Sequence, residues 1–162
     1  MSGAWTGWQV DVNDYKEFST KERTMFERVL LAVDGSKHSE RAISVASELA
    51  QRFGSEVLVL NIREVVLTTR SGPIGKESPE ESLSLVKKVA ERLVRDGVNA
   101  RGESSKVVQS GPAKEILDVA KEFEANLIVM GTRGHSELTG LLLGSVASKV
   151  LRHAECPVTV VR

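Results

Sequence analysis

Four glycines and a set of hydroxyl side chains crowd one stretch of the chain, Asn126–Ser148 (NLIVMGTRGHSELTGLLLGSVAS). Gly131, Gly134, Gly140 and Gly144 are interleaved with Thr132, Ser136, Thr139, Ser145 and Ser148. These residue types can hold an anion. Glycine lets backbone N–H groups converge with no Cβ in the way, and a helix starting beside the loop adds unpaired donors and positive partial charge. Gly131, Thr132, Arg133, Gly134 and His135 form the first half of such a cradle; Gly144, Ser145 and Val146 form the second, at a helix start. The chemistry expected is binding of nucleotide phosphates by backbone N–H groups. The Ser145 hydroxyl would reach a phosphate or a metal, and Arg133 would screen the terminal phosphate. The same glycines also suit a plain strand-to-helix connection, and Arg133 a solvated surface position.

Asp34 is the second candidate. It closes an apolar run, Arg28–Asp34 (RVLLAVD), and two roles fit it. One is to brace the turn before the following helix. The other is to hold a ribose hydroxyl, or a magnesium ion that bridges phosphates, since hard oxygen ligands suit magnesium. With Ser145 it makes the candidate metal pair, partly through phosphates or water.

Other chemistries lack their residues. No G-x-x-x-x-G-K-[ST] is present, and the first strand is followed by one glycine, Gly35, rather than a dinucleotide fingerprint. Gly134–Leu138 (GHSEL) lacks the second glycine of a hydrolase elbow. His38, His135 and His153 have no metal-ligand spacing with one another or with Cys156. Cys156, before Pro157, reads as a small core residue. No base is paired with an attacking water, and no second acid stands beside Asp34 in the motif segments. Phosphoryl transfer needs a positioned nucleophile. Binding with little or slow hydrolysis is therefore expected, with no catalytic residues.

The elements that must carry these residues follow from periodicity. Arg28–Asp34 reads as a buried strand, with Ser36 or Ser39 capping a helix that Gly54 stops. Glu56–Ile62 reads as a second buried strand. Residues 65–80, with Ser71, Gly72, Pro73, Gly75 and Pro79, read as a long loop of the kind that forms functional covers. A helix over Pro79–Asp96, a weaker strand over Ser104–Gln109 and a helix opening at Pro112 come next. Leu127–Met130 is a buried strand, Ser145–His153 a helix and Val158–Val161 a final strand. Strands alternating with helices imply an α/β fold: one open, parallel, Rossmann-like sheet covered on both faces. Ligands of such sheets lie outside the carboxyl ends of the strands, which here places Asp34 and Gly131 on the two sides of one crevice.

The spacing Gly131, Gly134, Gly144–Ser145 fits G-x2-G-x9-G-[S/T]. Together with VLLAVDGS (Val29–Ser36), ANLIVMGTRG (Ala125–Gly134) and CPVTVVR (Cys156–Arg162), it resembles the ATP-binding subgroup of the universal stress protein family over about Arg28–Arg162. The resemblance implies five strands in the order 3-2-1-4-5 and an ATP site with Mg2+, or another adenine nucleotide. Ala32 and Val33 would line the adenine pocket, and Ile62 would meet the adenine edge through its backbone. It also implies a homodimer joined through the last strand, whose apolar edge nothing covers. Ala32 stands where some ATP-binding relatives have proline, a difference that bears on the pocket's shape. The expected activity is that of a nucleotide-dependent sensor or switch in a stress response, with an unknown protein partner. The alternatives are an interaction scaffold that binds no ATP, and a slow ATPase or phosphotransferase. A two-component receiver domain shares the architecture but needs a cluster of acids, of which only Asp34 is placed.

Composition bounds the rest. The 162 residues suit one domain, and 41% hydrophobic content is ordinary for a soluble one. Twenty-two basic residues balance 22 acidic ones, against a dedicated nucleic-acid binder. No apolar stretch approaches the roughly 20 residues of a membrane span. The lone cysteine and an N-terminus without a signal-peptide pattern suit the cytoplasm. Residues 1–27 form a separate extension: Trp5, Trp8, Tyr15, Phe18 and Phe26 are five of the chain's seven aromatics. Such a segment reads as a docked arm, or as a partner-binding or regulatory one.

Overall fold

The computed structural model describes residues 26–68, 72–75, 77–108, 111–134 and 143–162. Its elements are β1 (Arg28–Ala32), α1 (Lys37–Phe53), β2 (Glu56–Thr68), β3 (Gly72–Gly75), α2 (Pro79–Arg95), β4 (Asn99–Val108), α3 (Pro112–Glu122), β5 (Leu127–Gly131), α4 (Ser145–His153) and β6 (Val158–Val161). Five strands run parallel in the spatial order β4-β2-β1-β5-β6. Counted among parallel strands alone, this is the expected order 3-2-1-4-5.

The central strands are apolar over Val29–Ala32, Val57–Leu60 and Leu127–Met130 because helices cover both faces there. Val29, Leu31, Val57, Val59, Leu127 and Val129 pack under α1 and α2, whereas Leu30, Leu58, Leu60, Ile128 and Met130 pack under α3 and α4. Helix ends follow local chemistry. Ser36 caps α1 by accepting from Ser39 N–H, and Gly54 ends it at φ 66°. Ser78 and Glu81 form a reciprocal capping box at α2.

Two expectations are corrected. Residues 65–80 are not simply a loop: β2 continues through Thr68, and β3 folds back antiparallel on it, pairing Val65 with Gly75 and Thr68 with Gly72. The β-branched run after Ile62 sustains the strand, and Pro73 is tolerated because a two-stranded extension leaves it at an edge. Residues 69–71 and 76 lie outside the described residues. The weak strand over Ser104–Gln109 instead starts at Asn99, with Glu56–Val65 of β2 pairing to Asn99–Val108. Its polar first half hid it, and that polarity suits a strand whose outer edge faces solvent.

The register also places β3. Val65 pairs with Val108 of β4 on one edge and with Gly75 on the other. That second edge is the one β1 occupies lower down, at Glu56–Leu60. β3 therefore sits beyond the carboxyl end of β1, and Asn61–Glu64, roughly 13 Å of strand edge, spans the gap between them.

Candidate functional site

The carboxyl ends of β1 and β5 are adjacent, with Ala32 paired to Met130. The chain leaves β1 through Val33 and Asp34 and turns sharply into α1. Asp34 Oδ1 accepts from Ser36 N–H at 3.0 Å, and Asp34 N–H donates to Ser39 Oγ at 3.3 Å. The carboxylate thus braces its own turn, one of its two expected roles. Its other oxygen faces across the crevice: a Cβ built on Gly134 would stand 2.3 Å from Asp34 Oδ2. Ser36 Oγ donates to the Arg133 carbonyl at 3.3 Å, a second tie between the β1 turn and the loop after β5. Sequence positions about a hundred apart are joined here into one rim.

The glycines divide by role. A Cβ on Gly131 would meet the His38 backbone and Cβ at 2.9 Å, so this glycine lets the first turn of α1 press onto β5. Gly144 N–H donates to the Thr132 carbonyl at 2.7 Å, and a Cβ there would lie 3.0 Å from the same oxygen. Gly144 therefore pinches the base of the loop, and its N–H is directed at protein. Thr132 N–H in turn donates to Val161, extending the β5–β6 ladder. Gly134 alone of the three opposes the Asp34 carboxylate. Gly140 and His135 lie outside the described residues.

Gly144 is also the N-cap of α4, with extended backbone. Among the described residues no side chain caps the helix, and its first turn starts beside Thr132 and Arg133, through the contact of Gly144 with both. Ser145 is exposed and Val146 half-buried. Arg133 is half-buried on the loop itself.

Ala32 and Ile62, expected around a base, and Val146, expected in the phosphate cradle, are each half-buried against the α3–α4 cluster. Val33 does not join them. Its side chain is 4% exposed and packs under α1 and α2, because successive residues of a strand face opposite ways. Only its backbone reaches the crevice, and that backbone is engaged: N–H with the Leu60 carbonyl at 2.8 Å, carbonyl with Asn61 Nδ2 at 2.9 Å. Since the Leu60 carbonyl points toward β1, the two-residue alternation of a strand points the Ile62 backbone toward the same edge, into the gap below β3.

Asn61 is a site-supporting residue that sequence reasoning passed over. It is 2% exposed, holds the Val33 carbonyl, and accepts from Ser82 of α2, which also bonds Ser104 of β4. The signal was a single amide inside VLVLNI, since a buried polar side chain needs partners. Among the described residues no group of three or more His, Cys, Asp or Glu could hold a metal ion. Among them also, no helix is long and apolar enough to cross a membrane.

Residues 25–162 match the model of the universal stress protein family. A universal stress protein of Thermus aquaticus is 41% identical over 139 residues, covering 85% of this chain and all of that protein. Universal stress protein YxiE of Bacillus subtilis is 36% identical over 151 residues, covering 85% of this chain and all of the relative. Among solved structures, the universal stress protein of Archaeoglobus fulgidus in complex with dAMP is 26% identical. It superposes with a TM-score of 0.60 over 85% of this chain and 99% of that one.

Proposed function

The chain belongs to the universal stress protein family, and on that premise we propose that its crevice binds an adenine nucleotide, ATP with Mg2+, as a switch with little or slow hydrolysis. The observation that carries this reading is the rim itself. The Asp34 carboxylate opposes Gly134, and α4 starts from Gly144 against Thr132 and Arg133 of the same loop, with no described side chain capping it. An anion suits the helix start, and a sugar hydroxyl suits the carboxylate across from it. The adenine would lie against Ala32, Ile62 and Val146, its polar edge toward the Ile62 backbone in the gap that β3 closes from above. The dAMP complex of the related Archaeoglobus protein supports an adenine nucleotide as the ligand class.

Phosphate would be held by Thr132, Gly134, Ser145 and Val146, with Arg133 and His135 contributing from the loop. Gly131 and Gly144 act by shaping that loop. The residues fit magnesium only in company: Asp34 and Ser145 supply hard oxygens, and phosphate and water must complete the octahedron. Hydrolysis would be slow because no described acid stands beside Asp34 to position water.

β6 bonds to β5 on one edge, and all four of its residues are half-buried. A homodimer that pairs this strand with its two-fold mate would cover the second edge. The switch would then act on a protein partner in the cytoplasm. Light scattering across a concentration series tests the dimer, which monomers throughout would exclude.

A scaffold that binds no nucleotide is the second reading. It is favoured by one observation: Gly131 and Gly144 each have a packing reason independent of any ligand. Calorimetric titration of nucleotide-stripped protein with ATP plus Mg2+, and with AMP in parallel, separates the two. A micromolar constant, about −8.2 kcal/mol, is expected for ATP. Absence of heat with both ligands would leave the scaffold.

A further inference from the structure

An open apolar groove of about 580 Å³ lies at the sheet edge, between α2 and β4. Leu83, Val86, Ala90 and Val94 line it from the helix, and Ala100 and Gly102 from the strand. The strand residues are too small to fill it. Gly102 draws the helix down, since a Cβ there would stand 2.9 Å from the Val86 carbonyl. Leu83 and Val94 are left 56% and 55% exposed on either side of that contact. Apolar side chains of this size, grouped along one groove, mark a docking surface.

We propose that the groove seats the chain's own N-terminal arm, with Trp5, Trp8, Tyr15 and Phe18 as the anchoring side chains. The inference is independent of nucleotide binding. The arm joins the domain at Phe26, whose ring meets Phe53 edge-on at 5.3 Å between centroids. Phe26 packs on the same core cluster as Val86, Ala90 and Ala100, so the arm leaves on the face that carries the groove. It also leaves at the right end. The Glu27 carbonyl accepts from Glu56 N–H, and Glu56 is paired with Asn99 at the start of β4. The mouth of the groove by Val94 and Ala100 is therefore about two strand spacings, roughly 10 Å, from the exit. Phe18 precedes Phe26 by eight residues, which reach about 26 Å when extended. Between Trp5 and Phe18, the stretch that would lie in the groove, Asp11, Asp14 and Glu17 outnumber Lys16, and the groove carries Arg95 beside the Lys87–Glu91 pair. Tethering makes the association intramolecular, which raises its effective concentration.

Trp5 and Trp8 are the only tryptophans, so intrinsic fluorescence of the full chain reads the arm alone. In the native protein their emission is expected to be blue-shifted and their quenching by acrylamide several-fold weaker than in the denatured chain. L83E/V94K should abolish most of that protection with the far-ultraviolet circular dichroism unchanged. The single variants L83S and V94S, milder surface changes on the same helix, should each remove part of it, and L83M/V94I should keep it. Quenching equal in native and denatured protein overturns the proposal. So does protection that all three polar variants leave intact, or protection lost on dilution, which would assign the arm to a second copy.

Discussion

The Asp34 carboxylate lies so close to the Cα of Gly134 that a methyl group there would be 2.3 Å from Oδ2. The first and fourth parallel strands, counted in chain order, thus bring their loops into contact at one acid and one glycine. Gly134→Ala must push that carboxylate aside. A side-chain oxygen yields cheaply, so the fold should persist with an unchanged melting temperature. ATP affinity should fall by about tenfold, or 1.4 kcal/mol, in calorimetry. Unaltered affinity would show that the Asp34–Gly134 contact takes no part in binding.

Asp34 has two separable roles. Asp34→Asn keeps an oxygen for Ser36 N–H, and Asp34→Ala does not. Both should weaken nucleotide binding. Only the alanine variant should also lose about 1 kcal/mol in denaturant unfolding, the usual worth of one such hydrogen bond. Equal stability of the two variants would remove the turn-bracing role.

Gly131→Ala is expected to act on stability first. Its methyl group would meet the His38 backbone at 2.9 Å, and a helix turn gives way less readily than a side chain. Overpacking of this kind costs about 1–3 kcal/mol. Chemical denaturation should show that loss whether or not nucleotide is present.

Asn61→Ala removes the donor to Val33 and the acceptor for Ser82 at a position only 2% exposed. Unsatisfied buried groups cost about 1–3 kcal/mol, so unfolding free energy should drop by that amount. Ser82→Ala, which leaves the Val33 contact in place, should lower stability less and affect affinity least.

Burial pushes the Cys156 thiol above its ordinary value of 9.0, with the neighbouring Glu155 charge adding to the rise. Folding therefore favours the protonated thiol. Its contribution to stability is complete below the unfolded pKa and is lost as pH rises through the folded one. Alkylation at neutral pH should be slower in the native protein than in the denatured chain. Cys156→Ala should flatten the fall of stability on the alkaline side. Equal alkylation rates in the two states would show the thiol to be unperturbed.

Much of this fold is legible residue by residue. Val29–Leu31, Val57–Leu60 and Leu127–Met130 are apolar at every position, which only a sheet buried on both faces requires. Gly54 and Pro112 mark helix ends where their backbone preferences demand it, and α4 runs Ser145–His153 as its pattern indicates. Local chemistry and burial periodicity act over a few residues, so one sequence suffices to reveal them. The sequence also brought forward Asp34 and the glycine loop as partners in one crevice, through the carboxyl-end rule for parallel sheets.

Tertiary structure decided what depends on a distant neighbour. That β2 runs on to Thr68, with β3 folded against it, rests on a pairing that the glycines and prolines of that stretch conceal. The polar half of β4 is a strand because β2 offers it ten paired positions. Glycines identical in sequence part company only in space. Gly131 admits the first turn of α1, Gly144 closes the base of a loop, and Gly134 opposes a carboxylate a hundred positions earlier in the chain. Asn61 became part of the site for the same reason: an amide in an apolar strand acquires a role only when folding sets a carbonyl and a hydroxyl beside it.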